Sequence, residues 1–180
     1  GSSDAMIDFE VTANRPDCLS VLGFAREIAT AYRVPLRLPS HTPGDRVELA
    51  PATTGTSDRL DVAIEDPERC LRFAAVVADV TETQSPAWMT SRLLAAGVRP
   101  ISPYVDITNY VLMELGQPMH AYDLDTLDGQ TLRARLARPG ETLTTLDGVS
   151  RTLDADALVI ADRTRAQGIA GVMGGAASEV

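Results

Sequence analysis

The segment TLRARLARPGETLTTLDGVSRTLDADALVIA, residues 131–161, is made of short apolar runs broken by turn residues. Its alternation predicts strands over 131–137, 141–145, 150–153 and 157–161, because side chains on a strand face opposite sides in turn. Asp147-Gly148 lies between two such runs and is a hairpin signal, since Asp-Gly tolerates the positive φ of a tight turn. Upstream, residues 60–65 and 71–80 also read as strands, separated by a turn at Asp66-Pro67. Helices stand between the two strand groups. Ser85 is placed to cap a short helix with Pro86 at its first position, Trp88, Met89 and Leu93 inward, and Gly97 at its end. A strand around Tyr104 and Val105 leads to Asp106, placed to cap a second helix that runs to about Leu115 and stops at Gly116. After Gln117-Pro118, residues 120–127 form a short turn or helix. Strands, then helices, then strands, without regular β-α-β alternation, predict an α+β fold with mixed or antiparallel sheets.

The N-terminal part reads differently. Residues 7–12 alternate as a strand, and a turn at 14–17 follows. Asp17 is placed to cap a helix over 18–32, with Leu19, Leu22, Ala25, Ile28 or Ala29, and Tyr32 at helical spacing. Residues 35–57 are rich in Pro, Thr, Gly and Ser and read as a linker with one short strand near 47–49. The expected organisation is therefore a tag remnant (1–6, GSSDAM), a strand-helix remnant (7–34), a linker (35–57) and a main module (58–180).

Composition narrows the function classes. An apolar fraction of 44% and a charged fraction of 23% are ordinary for a globular protein. A net charge of −9 argues against broad nucleic-acid binding, which relies on a positive surface. No apolar run reaches the ~18 residues of a membrane span. Cys18 and Cys70 have no metal-type spacing and read as reduced thiols of a cytoplasmic protein. Arg133 and Arg135 alternate on one strand face, either as a solvated edge or as a phosphate contact.

Two stretches carry chemistry. PISPYVDITNYVLMELGQPMHAYDL, residues 100–124, sets Asp106, Thr108, Asn109, Glu114, Gln117, His120 and Asp123 among apolar neighbours, the composition of a pocket wall with a few placed polar groups. His120 can act as general base for a water, or sit bonded to a backbone carbonyl. Thr108 and Asn109 fall in the first turn of their expected helix. There, side chains and free N–H groups can hold a carboxyl, ester or hydroxyl, or simply serve the helix start. His120 and Asp123 lack a third ligand nearby, so no metal site is expected. The second stretch, IAGVMGGAASEV (169–180), carries Gly171, Gly174 and Gly175. It matches no dinucleotide or P-loop fingerprint, and reads as a tight turn or a close backbone approach to a ligand.

Four segments in this order carry a resemblance: DFEVTANRPDCLSVLGFAREIA (8–29), GVRPISPYVDITNYVLMELGQPMHAYDLDTL (97–127), TLDGVSRTLDADALVIAD (145–162) and IAGVMGGAASEV. Together they resemble the β subunit of bacterial phenylalanyl-tRNA synthetase. The first segment is similar to the end of its B1 domain, and residues from about 58 onward to its B3/B4 editing module. The resemblance implies a fragment of an (αβ)₂ tetramer that uses ATP and Mg²⁺ to charge tRNA(Phe), with the aminoacylation site on the α subunit and no cofactor in the fragment. It implies that the module hydrolyses Tyr-tRNA(Phe). Thr108, Asn109, Ala121 and Gly171 would surround the bound tyrosine, and His120 would stand near the terminal ribose and the water as base or orienting group. The tRNA 3′ end would itself help to position that water. The acidic group that recognises the tyrosine hydroxyl is expected beyond Val180, and Pro103 stands where many members carry asparagine, removing a backbone donor. A non-catalytic tRNA-docking or subunit-scaffolding role is the alternative.

Overall fold

A computed structural model describes residues 5, 7–38, 58–81, 84–178 and 180. The chain divides into two compact units, Gly1–Arg46 with Glu82–His120, and Val47–Thr81 with Ala121–Val180. The short strand expected near 47–49 lies outside the described residues.

The first unit is helical. A 3₁₀ turn, Pro16–Leu19, leads into α1, Val21–Tyr32. The cap is Ser20, whose hydroxyl accepts the Gly23 N–H at 3.1 Å, rather than the expected Asp17. Asp17 instead holds Arg15 in a two-point ion pair, and the 3₁₀ turn folds back so far that a Cβ on Gly23 would overlap the Asp17 carbonyl. The strand expected over 7–12 does not form. Phe9 packs its ring against Phe24 at 3.9 Å, which turns this segment onto α1 and away from any ladder.

Helix α2, Ala87–Ala95, buries Met89 and Leu93 as the spacing predicts. Ser85 does not cap it: Pro86 is the N-cap residue, and the Ser85 hydroxyl bonds elsewhere. Trp88 is half exposed, set edge-on to Tyr110 at 5.2 Å, and not the core residue expected. Gly97, at φ +77°, closes the helix through Gly97 N–H to Leu94 and Val98 N–H to Leu93. Helix α3, Pro103–Leu115, starts earlier than expected. Pro103 presets the first helical φ and Ser102 caps by accepting the Val105 N–H, so Tyr104 and Val105 are helical rather than extended. Gly116 ends α3 at φ +75°. Both α1 and α2 pack on α3.

The second unit is built on a five-stranded sheet: β1 (Asp61–Ile64), β2 (Thr131–Leu136), β5 (Leu158–Ala161), β6 (Ala166–Ile169) and β7 (Met173–Gly174), adjacent in that order. Only β1 and β2 run parallel; the rest are antiparallel. β3 (Thr142–Thr144) and β4 (Ser150–Thr152) make the hairpin that Asp147-Gly148 predicts, tied to the main sheet by a bridge from Thr145 to Gly175. Side-chain alternation buries both sheet faces. Val159, Ala161 and Ala166 pack with Leu143 and Leu153, while Ile160, Leu132 and Ala134 pack with Leu60 and Leu127. Among the described residues, three α-helices with mixed sheets make an α+β chain, as expected.

The strand expected over 71–80 is absent. Cys70, Phe73 and Val77 pack on the sheet while Leu71, Val76 and Val80 stay exposed, a spacing that no two-residue pleat can present. Within 120–127, a 3₁₀ turn forms at Leu124–Thr126.

Candidate functional site

Thr108, Asn109 and His120 belong to the first unit; Ala121 and Gly171 belong to the second. Because α3 begins at Pro103, Thr108 and Asn109 occupy its second turn. The free N–H groups of the helix start therefore lie at residues before them, and only their side chains remain for a ligand. The Thr108 hydroxyl donates to the Val105 carbonyl at 2.8 Å. The half-buried Asn109 amide has no hydrogen-bond partner among the described residues, so both its donor and its acceptor remain to be used.

Holding that turn is a feature the sequence suggested only as a helix cap. Asp106 is 2% exposed. One carboxylate oxygen accepts the Ile101 N–H at 2.8 Å and the other accepts the Ser85 hydroxyl at 2.5 Å. The carboxylate thus joins the lead-in to α2, the lead-in to α3 and α3 itself. An open cavity of about 460 Å³ lies here, lined by Ser85, Thr90, Ile101, Ser102 and Asp106.

His120 is exposed, two residues after Pro118. In the second unit, Ala121 is half-buried and is followed by Tyr122, which packs into the core beside Leu124; burial pushes its hydroxyl up to about 12. Gly171 makes the turn from β6 to β7 at φ +70°, closed by Val172 N–H to the Ile169 carbonyl. A Cβ there would meet no atom within 4 Å, so the backbone sign alone requires glycine. Gly175 is different: a Cβ would stand 2.7 Å from the Gln167 carbonyl oxygen, and this is a tight strand crossing.

Several charged groups elsewhere are paired within the chain. Arg133, 35% exposed, pairs with the part-exposed Asp61 and Glu65 at a solvated edge, as one of the two readings expects, whereas Arg135 on the same face is buried against Glu141. Asp162 is 1% exposed and accepts N–H groups from Asp128, Thr164 and Arg165 and the Gln167 amide. Burial pushes its carboxyl up, but those donors outweigh it and hold it below the usual range. Asp17, Cys18 and Glu27 could approach one ion. Arg15 already bridges both carboxylates, at 2.7 and 2.6 Å.

Residues 69–180 match the B3/4 domain, and the chain belongs to that family. It is similar over its length to the phenylalanine–tRNA ligase beta subunit of Moorella thermoacetica, 49% identical across 100% of this chain and 22% of that protein. The corresponding subunits of Nitratidesulfovibrio vulgaris and Anaeromyxobacter dehalogenans are each 49% identical, across 96% and 98% of this chain and 21% and 22% of theirs. The chain spans about a fifth of the length of these relatives.

Proposed function

We propose that this chain is part of the β subunit of a phenylalanine–tRNA ligase, and that its B3/4 module hydrolyses tyrosine wrongly attached to tRNA(Phe). The observation that carries the reading is 49% identity to such subunits along the entire chain. Physical need supports the rest. An apolar pocket rejects a near-isostere bearing one extra hydroxyl by only ~100-fold, and tyrosine differs from phenylalanine by that group. A second site that accepts tyrosine and cuts its ester removes the error.

In this reading Thr108, Asn109, Ala121 and Gly171 bind the aminoacyl end. The Asn109 amide, without a partner among the described residues, offers both hydrogen-bond senses. Gly171 presents backbone with nothing over its Cα. His120, exposed on an irregular segment, takes or orients the proton of the attacking water. The ester C–O bond then breaks, releasing tyrosine and the ribose hydroxyl. ATP and Mg²⁺ serve the charging reaction of the parent enzyme, in which an α subunit and tRNA(Phe) are the partners and the cytoplasm is the setting.

The test uses the assembled ligase. His120→Ala should slow Tyr-tRNA(Phe) deacylation by roughly 100-fold, the usual size of a general-base contribution. Ala121→Trp should block tyrosine entry, and charging with phenylalanine should persist in both. Unchanged deacylation in both variants would leave the module a docking or scaffolding unit.

A further inference from the structure

We infer that Asp106 is a positioning residue for the substrate-binding turn of α3, holding Thr108 and Asn109 in register through its bonds to Ser85 and Ile101. The inference rests on the editing reading above and adds a residue to it. Asp106 lies three positions before Asn109, so the two side chains are neighbours on one face of α3. The carboxylate is 2% exposed and its oxygens are bound by two donors from outside the helix, the Ser85 hydroxyl at 2.5 Å and the Ile101 N–H at 2.8 Å.

A buried carboxylate costs several kcal/mol of desolvation, returned only where hydrogen bonds satisfy it. The capping duty that would explain an acidic residue at this place is already met by Ser102. Charge at the helix start favours an anion generally, but a surface aspartate in the first turn would supply that without burial. What the buried position adds is a fixed link between α3 and two irregular segments, 84–86 and 100–102. That link sets both the rotation and the axial position of the first two turns. Among the described residues the Asn109 amide has no hydrogen-bond partner, so its placement is inherited from the helix beneath it. Asp106 touches no substrate in this account; it acts through Asn109 and Thr108.

The experiment follows Tyr-tRNA(Phe) deacylation by the assembled ligase over a range of substrate concentrations, in wild type, Asp106→Asn, Ser85→Ala, Asn109→Ala and the Asp106→Asn/Asn109→Ala pair. Asp106→Asn keeps size and the Ile101 bond but loses the charge. Ser85→Ala removes one hydroxyl, and gives an answer where the first variant does not assemble. Both should raise KM by about three- to tenfold with kcat within about twofold, the pattern of lost ground-state and transition-state binding together. Phenylalanine charging should not change. The paired variant should lose clearly less than the sum of the two single changes, because only Thr108 is then left to misplace. A fall in kcat at constant KM would mean only a smaller folded fraction and overturns the inference. So would full additivity with Asn109→Ala, or wild-type kinetics in both single variants. A wild-type ligase that leaves Tyr-tRNA(Phe) intact would instead sink the editing reading itself.

Discussion

Glu141→Gln should destabilise the second unit by about 3 kcal/mol at neutral pH, and two independent routes lead to that size. Glu141 receives both Arg135 guanidinium nitrogens, at 2.8 and 2.7 Å, and the backbone N–H groups of Arg138 and Ala166, each at 2.8 Å. The pair is nearly sealed, with the two side chains 6% and 9% exposed. Removing one partner of such a pair strands the other charge, at a cost of roughly 3–5 kcal/mol. The second route is titration. The Arg135 guanidinium bonds hold the Glu141 carboxyl down from 4.5 to about 2, against the opposing push of burial. A drop of that extent corresponds to about 3 kcal/mol. Because the folded carboxyl ionises more readily than the unfolded one, the stabilisation is complete above about pH 5 and drains away as pH falls towards 2. Urea denaturation from pH 7 down to pH 3 reads both quantities. Wild type should lose stability steeply below pH 5, and Glu141→Gln should lose less over the same range. A deficit under about 1 kcal/mol at pH 7, or equal acid slopes in the two proteins, would refute the argument.

Gly175→Ala should cost about 2 kcal/mol in the same denaturation assay, because its Cβ would press on the Gln167 carbonyl oxygen at 2.7 Å and on Leu143 at 2.8 Å. Gly171→Ala should cost only about 1 kcal/mol, from its positive φ and not from any clash. Arg133→Gln in the assembled ligase should leave the salt dependence of Tyr-tRNA(Phe) deacylation as it is, measured as kcat/KM from low to high ionic strength. A shallower slope would mean that this guanidinium contacts a phosphate after all.

Some of this fold could be read before any coordinates. The alternation in residues 131–161 placed four strands, and Asp147-Gly148 placed the hairpin, because each signal is local and backbone-driven. Gly97 and Gly116 marked helix ends for the same reason. Three of the differences concern polar residues next to a helix start. Asp17, Ser85 and Asp106 all look like caps by position. In the structure Asp17 answers to Arg15, and Ser85 and Asp106 answer to each other across 21 residues of chain. The Ser85–Asp106 pairing, being long-range, leaves no trace in local pattern. The same holds for Asp162, which accepts the Asp128 N–H across 34 residues of chain. Strand 71–80 failed for another reason: apolar content without a two-residue alternation of burial describes a packed irregular segment equally well.

The distribution of charge bears on what an RNA partner would meet. Net charge is −9, and Arg15, Arg59, Arg69, Arg133, Arg135, Arg151 and Arg163 each pair with a carboxylate of the chain itself. A surface so arranged repels a phosphate backbone more than it attracts one. That sits poorly with a docking platform for the body of a tRNA and well with hydrolytic editing. In the proposed editing reaction only the terminal nucleoside and its ester need to enter, and this chain spans about a fifth of the length of the subunits it resembles. The polar groups proposed for that task are few and mostly uncharged, Thr108, Asn109 and His120, which is the equipment for orienting an ester and a water rather than for gripping an anion. If the module were instead the main grip, substituting the paired arginines would weaken tRNA binding uniformly, and the internal ion pairs would have to open each time the RNA bound.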